Sequence, residues 1–386
     1  MFALRPAGEA LFFGDRDEVG QLRQIHVHSI GEVDSRIDNG RWTPPNSRVS
    51  IDLRDNNEEG QLMKLIALEE AFSIPELEKR YPRFQDLGDI RVSKEFAQHV
   101  QERLPDFTEL RLPDMDANGV DVQVLSLTVP GIQADLSPAE AIDAAQFAND
   151  YLANAISQHP DRFAGFAALP MQDPGAAVSE LHRAVGELGF VGALVNDHTQ
   201  GHYLDEPQFD VFWSALEELD VPLYIHPGAP RLDHWNVLDG FPELIGPTWS
   251  WGAEAASHAL RLLYGGVFDR HPQAKLILGH MGEFLPFQIS RLDSRWLTLA
   301  TGRTLNRMPS EYFGSNILIT ISGVPSPAAL AGAVLAIGAD AIMFAIDYPW
   351  EYSESATAAF TTAPLSEIDR HKIAHGNAER ILHLVQ

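Results

Sequence analysis

The feature that most constrains the fold of this chain is a series of short apolar runs between Met63 and the C-terminus. Each run is only a few residues long and is nearly continuous in apolar residues. This pattern is typical of strands that are buried on both faces of a parallel sheet. The runs are Lys64–Leu68, Asp121–Thr128, Phe163–Leu169, Gly192–Val195, Pro222–His226, Lys275–Gly279, Ile317–Thr320 and Ala341–Ile346.

Segments with helical spacing of apolar residues lie between these runs. Pro138–Gln158 has an apolar stripe and many alanines, and Pro174–Gly189 follows Asp173, a residue suited to capping a helix. The other helical segments are Gln208–Leu219, Ala253–Leu263, Phe284–Leu299, Pro327–Ile337 and Leu365–Leu384. Strands that alternate with helices in this number predict an α/β fold, a (β/α)8 TIM barrel.

A doubly wound open sheet is the alternative fold. Such sheets usually carry a glycine-rich phosphate loop after the first strand. Here the first run is followed by Glu69, Glu70, Ala71 and Phe72, with no glycine among them. The sequence therefore favours the barrel.

Residues 1–62 differ from the rest of the chain, because the stretch 34–59 has few apolar residues and no sustained period. We interpret 1–62 as an N-terminal extension that is loosely ordered and 63–386 as the barrel domain, with Met63 as the natural start. The alternative is an arm that packs on a neighbouring subunit. His26 and His28 form a His-x-His pair in this extension, but no buried strand precedes them, so we interpret them as polar residues rather than metal ligands.

Composition excludes several classes of function. The formal net charge of −26 argues against partners that are polyanions, so we expect no binding to nucleic acid or to an anionic membrane. The chain has no cysteine, which leaves histidine and carboxylate as the ligands for any metal. No apolar stretch is long enough to span a membrane, and no signal peptide is apparent, so a cytoplasmic location is expected.

Polar residues follow several of the predicted strands, at the end of a barrel where active sites form. They are Glu69 and Glu70, Asn196 and Asp197, His226, His280 and Asp347. Taken singly, each could be a cap or a structural residue. Taken together, Glu69, His226 and Asp347 form a set that can bind one divalent ion and leave open positions.

Two further glutamates near these strand ends have predicted roles. Glu283 lies three residues after His280, so its carboxylate is expected to orient the imidazole for acid–base work or for binding an anion. Glu70 points away from Glu69 because side chains alternate along a strand, and we interpret it as a structural ion-pair partner.

Six segments resemble the ACMSD-like branch of the amidohydrolase superfamily, and within it the decarboxylases of 2,3-dihydroxybenzoate, γ-resorcylate and salicylate. They are residues 67–72 (ALEEAF), 166–174 (FAALPMQDP), 188–196 (LGFVGALVN), 224–227 (YIHP), 279–283 (GHMGE) and 346–350 (IDYPW). The resemblance runs from Met63 to the C-terminus. It implies a barrel that removes CO2 from an ortho-hydroxybenzoic acid with one divalent metal and no organic cofactor.

The resemblance also implies site residues. Glu69, His226 and Asp347 would bind the metal, and His280, Glu283 and Arg291 would serve the site. Many relatives have a histidine ligand where this chain has Ala71, so the site has one nitrogen donor fewer and Zn2+, Mn2+ or Mg2+ would all suit it. The resemblance also suggests a homodimer or homotetramer.

The expected reaction is decarboxylation of a small aromatic acid, in which Asp347 protonates the ring carbon before CO2 leaves. Asn196 at a strand end is a candidate contact for the substrate, and Phe72 and Trp350 are candidates for packing its ring, as are Trp249 and Trp251. Two alternatives stay open. One is a hydrolase in which the same metal activates water, and the other is a barrel without catalysis that acts as a binding or assembly protein.

Overall fold

The computed structural model describes residues 63–85, 90, 92–230 and 235–384, together with two short paired segments, Ile37–Asp38 and Arg41–Trp42. The chain divides into two compact units, Met1–Asp52 and Leu53–Gln386. In the first unit the two short segments pair antiparallel. The predictions for the rest of 1–62, including His26 and His28, lie outside the described residues.

The second unit contains eight parallel strands that follow one another around a barrel, which confirms the predicted fold class. They are β1 (Ile66–Phe72), β2 (Val122–Leu127), β3 in two pieces (Phe163–Gly165 and Ala167–Ala168), β4 (Ala193–Asn196), β5 (Leu223–His226), β6 (Leu276–Leu278), β7 (Ile317–Thr320) and β8 (Ile342–Met343). The first piece of β3 pairs with β2 and the second with β4, so the pairing runs from β1 to β8 through both pieces.

Helices cover the outside of the strands. They are α1 (Pro75–Arg80), α2 (Lys94–Arg103), α3 (Arg111–Ala117), α4 (Pro138–Gln158), α5 (Pro174–Gly186), α6 (Asp210–Leu219), α7 (Ser250–Tyr264), α8 (Val267–Arg270), α9 (Ile289–Trp296), α10 (Pro327–Ile337), α11 (Ser353–Thr362), α12 (Glu367–His371) and α13 (Asn377–Ile381). Local chemistry sets several starts, since Ser137 and Glu140 form a reciprocal capping box before α4 and the Asp173 side chain caps α5. No described helix is long and apolar enough to cross a membrane.

Alternate residues of the strands belong to two separate hydrophobic clusters. Ile66 and Leu68 belong to an inner cluster that fills the barrel, whereas Leu65 and Ala67 belong to the larger cluster between strands and helices. The pairing of β1 with β2 shifts register between Ala67 and Glu70. This irregularity changes the side-chain alternation just before the carboxylates at the end of β1.

Several predicted elements differ in extent, and two of these differences affect the site. The first strand continues to Phe72 instead of ending at Leu68, so both glutamates lie within it. The helix predicted to begin at Phe284 begins at Ile289, because His280, Met281, Gly282, Glu283 and Phe284 all have positive φ angles and form a tight irregular turn. Both differences lie at the mouth of the barrel.

Candidate metal centre and active site

Four side chains present metal-ligand atoms at the carboxyl ends of the strands. One atom each from Glu69, His226, His280 and Asp347 lies within 4.8 Å of the others. Glu69 Oε1 is 3.7 Å from His226 Nε2 and 3.5 Å from His280 Nε2, which is in turn 3.5 Å from Asp347 Oδ2. Donors that share an ion at about 2.0–2.2 Å are themselves roughly 3–3.5 Å apart, so the four residues fit a single metal ion.

The carboxylate of Glu69 is oriented by hydroxyl groups on two other strands. Its Oε2 accepts hydrogen bonds from Tyr224 on β5 and Ser322 after β7, and Thr320 Oγ1 lies 3.3 Å away. Its Oε1 is buried and has no hydrogen-bond partner among the described residues. An unpaired buried carboxylate oxygen beside two imidazoles is costly without a cation, which supports metal binding at this point.

The two histidines have opposite electrostatic character. Burial lowers the pKa of His226 to about 4, so its imidazole is neutral and able to bind a metal. Burial also disfavours charge on His280, but attraction to Glu69 and Glu283 outweighs this and raises its pKa well above the usual value. The raised pKa favours the protonated imidazole of His280, which can donate a hydrogen bond from each ring nitrogen.

The carboxyl groups are also perturbed. Burial raises the pKa of Asp347 to about 7, and the nearby Glu69 carboxylate adds to this. Burial works against the charge of Glu69, but His280 and His226 outweigh it and lower the pKa of Glu69. The site thus pairs an ionised carboxylate with a carboxyl group that carries a proton part of the time near neutral pH.

His280 is fixed in an irregular turn after β6. Its Nδ1 lies 2.7 Å from Glu283 Oε1, as expected from their spacing, and its backbone N–H donates to Ser322 Oγ at 2.9 Å. A Cβ on Gly323, whose φ is +62°, would lie 2.6 Å from the His280 ring. The turn and the absence of a side chain at position 323 together direct Nε2 toward Glu69 and Asp347.

A cavity of about 300 Å3 opens above these residues. His226, His280, Glu283 and Asp347 form its polar floor together with Glu351. Its walls are apolar and include Val92, Phe96, Trp249, Trp251, Phe284 and Trp350. A flat aromatic acid can place its ring against such walls and its charged end on the floor.

A second, much smaller cavity lies beside the first, next to Ala71. Asn196, Thr128 and Ser126 line it together with Glu69 and Asp347. Asn196 Oδ1 and Thr128 Oγ1 are buried and have no partner among the described residues. Ala71 therefore borders a small space at the metal centre that is lined in part by buried, unpartnered oxygens.

The structure brings most of the predicted site residues together. Glu69, His226 and Asp347 form one group, and His280, predicted for acid–base work, joins them as a fourth possible donor. Trp350 lines the large cavity, as do Trp249 and Trp251.

Three of the predicted substrate contacts do not line the large cavity, and one of them, Asn196, lines the small cavity instead. Phe72 is buried in the core with its ring centroid 5.6 Å from that of Phe107, because β1 continues through this position and turns the side chain outward. Arg291 is exposed on α9 and does not line the cavity of its own chain. The late start of α9 changes the direction in which its residues point.

Several residues around Glu69 were missed by sequence reasoning. Tyr224 precedes His226 by two residues and Ser322 follows Thr320 by two, so strand alternation could have placed each pair on one face. A Cβ on Gly279 would lie 2.6 and 2.7 Å from the two carboxylate oxygens of Glu69. Nothing in the sequence around Gly279 signals this close approach.

The chain is similar to known proteins over most of its length. It is 44% identical over 327 residues to a γ-resorcylate decarboxylase from a Rhizobium species, covering 83% of this chain and 98% of the relative. Among solved structures, a 2,6-dihydroxybenzoate decarboxylase in complex with 2,6-dihydroxybenzoate superposes with a TM-score of 0.78 at 43% identity, covering 83% of this chain and all of that one.

A dihydroxybenzoic acid decarboxylase from Polaromonas sp. JS666, with manganese and the inhibitor 2-nitroresorcinol bound, has a TM-score of 0.77 at 40% identity over 83% of this chain and 97% of its own. The family model described as amidohydrolase matches residues 72–384. With its barrel, its metal-ligand group and this match, the chain belongs to the amidohydrolase family.

Proposed function

We propose that 2,6-dihydroxybenzoate (γ-resorcylate) is the substrate of this protein, a metal-dependent carboxy-lyase of ortho-hydroxybenzoic acids. The observation that carries the proposal is the group of four side chains, Glu69, His226, His280 and Asp347, at one end of an apolar cavity sized for a single ring. Relatives that are 41–44% identical are γ-resorcylate decarboxylases, and a manganese-bound neighbour is a dihydroxybenzoic acid decarboxylase.

Glu69, His226 and Asp347 are the residues that would hold the metal. Such an ion, whether Zn2+, Mn2+ or Mg2+, would supply positive charge for an anionic substrate in an otherwise acidic site. Attraction to Glu69 and Glu283 raises the pKa of His280 in the site without metal, and we propose that its Nε2–H donates to a substrate oxygen. Glu283 holds the imidazole through Nδ1.

Asp347 is the proton donor in this proposal. Direct loss of CO2 would leave an electron pair in the plane of the ring, so protonation of the carbon that bears the carboxylate comes first. The Asp347 proton forms the new C–H bond, and the C–C bond to the carboxylate then breaks, releasing CO2 and returning its electron pair to the ring. Burial raises the pKa of Asp347 to about 7 in the site without metal, which favours a protonated carboxyl group there.

The small cavity beside Ala71 supports a substrate with a second ortho oxygen. Asn196 and Thr128 offer it buried, unpartnered oxygens. A second hydroxyl on the substrate would donate to one of these groups, whereas a substrate without it would leave them unpaired. We therefore propose that Asn196, at the end of β4, contacts the substrate through this small cavity.

Substrate comparison tests this proposal. Purified protein supplied with Mn2+ is expected to release CO2 from 2,6-dihydroxybenzoate with a kcat/KM at least about tenfold higher than from salicylate, which lacks the second ortho hydroxyl. An Asn196→Ala variant is expected to lower kcat/KM for 2,6-dihydroxybenzoate and to leave kcat/KM for salicylate unchanged. The ratio of the two values should therefore fall. Equal rates on the two acids, with the ratio unchanged in the variant, would contradict the assignment.

The catalytic unit is proposed to be residues 63–386. The γ-resorcylate decarboxylase relative aligns over 98% of its own length with 83% of this chain, and every residue of the metal centre lies after position 63. Deletion of residues 1–62 is therefore expected to leave kcat/KM within about twofold of the full chain and to shift the melting temperature little. A deletion variant that folds but loses Mn2+ affinity would show that the extension belongs to the site.

Assembly into a homodimer or homotetramer is also part of the proposal. Large apolar side chains stay exposed in a single chain, with relative accessibilities of 59% for Phe241, 50% for Trp249, 51% for Phe284 and 49% for Phe287. Exposed apolar groups of this size indicate a contact surface. Light scattering should give a mass of at least two chains, and Phe287→Glu should lower it; a monomeric wild-type protein would contradict this.

The expected cytoplasmic location stays a prediction, which cell fractionation would test.

A further inference from the structure

The barrel has a seam between its first and last strands. β1 is the edge of the three-stranded group and β8 is the edge of the six-stranded group, and no ladder pairs them in the part of the chain that the structure describes. One backbone hydrogen bond crosses here, from Ala71 N–H to the Tyr348 carbonyl at 2.7 Å. Asp347 lies at this seam, directly before Tyr348.

The side chain of Glu70 closes the seam around Asp347. Glu70 is fully buried. Its Oε1 accepts a hydrogen bond from Ile346 N–H at 2.9 Å, and its Oε2 accepts one from Tyr348 N–H at 3.1 Å. These two N–H groups flank Asp347 on either side in the chain. One carboxylate thus fixes the backbone immediately before and immediately after the proposed proton donor.

Asp347 needs this support because its backbone conformation is unfavourable. Its φ is +80°, in the left-handed region that a residue with a side chain seldom adopts. Such a conformation persists only where the surrounding structure holds it. The two hydrogen bonds to Glu70 are contacts that do so, and they leave the Asp347 side chain facing His280 and Glu69.

Arg111 holds the opposite side of the same seam. Its guanidinium is fully buried and donates to the Ala71 carbonyl at 2.6 Å and to Gln123 Oε1 at 3.0 Å. It also lies 4.5 Å from the centre of the Tyr348 ring. Arg111 therefore contacts β1 and the segment that follows β8. Burial raises the pKa of Glu70 well above its usual value, and the two backbone N–H groups and the nearby charge of Arg111 oppose this shift.

We infer that Glu70 is a positioning residue for the reaction, which acts through Asp347 and is supported by Arg111. Two adjacent residues of β1 then have separate tasks: Glu69 offers an oxygen to the metal from inside the barrel, and Glu70 sets the direction of Asp347 from the other face of the strand. The inference rests on the roles of Glu69 and Asp347 proposed above. It goes further than the ion-pair role predicted for Glu70 from the sequence.

The test is Glu70→Gln in the full-length protein. Glutamine has nearly the same shape, but its amide nitrogen would face one of the two backbone N–H groups, so one hydrogen bond is lost. We expect the Kd for Mn2+, measured by calorimetry on metal-stripped protein, to rise about 10- to 100-fold. We expect kcat for CO2 release to fall by a similar factor, with KM changed less than about threefold, because Asp347 would act in the reaction more than in binding.

Glu180→Gln is the matched control. Glu180 is also a buried carboxylate, and it accepts hydrogen bonds from Asn149 and Arg183 between α4 and α5. This variant should keep the Mn2+ Kd and kcat within about twofold of wild type. If the Glu70→Gln and Glu180→Gln variants lose Mn2+ affinity equally, or if Glu70→Gln keeps both wild-type values, the inference is wrong.

Arg111→Lys covers the case in which Glu70→Gln does not fold. Lysine keeps the charge but cannot make all three side-chain hydrogen bonds of Arg111, which reach Ala71, Gln123 and Asp106. We therefore expect a smaller change in the same direction, and unchanged Mn2+ affinity and kcat would overturn the inference. The Mn2+ measurement needs no substrate. A wild-type protein that releases no CO2 from any phenolic acid would refute the proposed function, while the ratio of the Mn2+ dissociation constants would still decide the role of Glu70.

Discussion

Asp347→Asn is expected to lower the rate of CO2 release from 2,6-dihydroxybenzoate by about 100- to 10,000-fold, the range for loss of a positioned proton donor. The amide keeps the size of the side chain but has no proton to give to the ring carbon. Stopped assays of released CO2 at saturating Mn2+ would measure the loss. A variant with more than a tenth of wild-type activity would show that the proton comes from another group.

The same variant should be more stable than wild type without metal at pH 8. Burial raises the pKa of Asp347 to about 7 from 3.8, so between these values the folded state binds more protons than the unfolded state. The free energy of unfolding therefore falls as the pH rises through this interval, by up to about 4 kcal/mol. The asparagine side chain of the variant cannot ionise, and urea titrations at pH 5 and pH 8 should show a smaller pH dependence in the variant. An equal dependence in both proteins would contradict a raised pKa.

Gly279→Ala is expected to have the second large effect. An added Cβ would lie 2.6 and 2.7 Å from the two carboxylate oxygens of Glu69, and that carboxylate is held by Tyr224 and Ser322 so that it cannot move aside freely. We expect the Kd for Mn2+ to rise about 10- to 100-fold or more, because the displaced group is itself a proposed ligand.

Gly186→Ala provides the control for this substitution. Gly186 is the last residue of α5, and an added Cβ there meets no atom within 4 Å. Its Mn2+ affinity should match wild type, and alanine should stabilise the helix slightly. Unchanged Mn2+ binding in the Gly279→Ala protein would mean that Glu69 does not bind the metal through the described geometry.

The sequence predicted the architecture well because buried parallel strands and amphipathic helices leave strong periodic patterns. The predicted helices Pro138–Gln158 and Pro327–Ile337 have the bounds that the structure shows. The grouping of Glu69, His226 and Asp347 followed from one rule, that the carboxyl ends of barrel strands meet at one mouth. Each of the three lies where that rule places it.

Details of the site were less predictable because they depend on breaks in regular structure. A register shift in β1 changes which residues face inward, and the turn at His280–Glu283 depends on successive residues with positive φ. Neither leaves a periodic signal. The register shift in β1 accounts for the place of Phe72 in the core. The turn at His280–Glu283 accounts for the exposure of Arg291. The contacts of Glu70 with Ile346 and Tyr348 join residues more than 270 positions apart, so a single sequence cannot show them.

A metal titration tests the central claim most directly. Protein stripped of metal would be supplied with increasing Mn2+, and CO2 release from 2,6-dihydroxybenzoate would be followed at each step. If Glu69, His226, His280 and Asp347 form one functional centre, activity should rise from near zero and level off at one ion per chain. No CO2 release at any Mn2+ concentration, or full activity in the stripped protein, would contradict it.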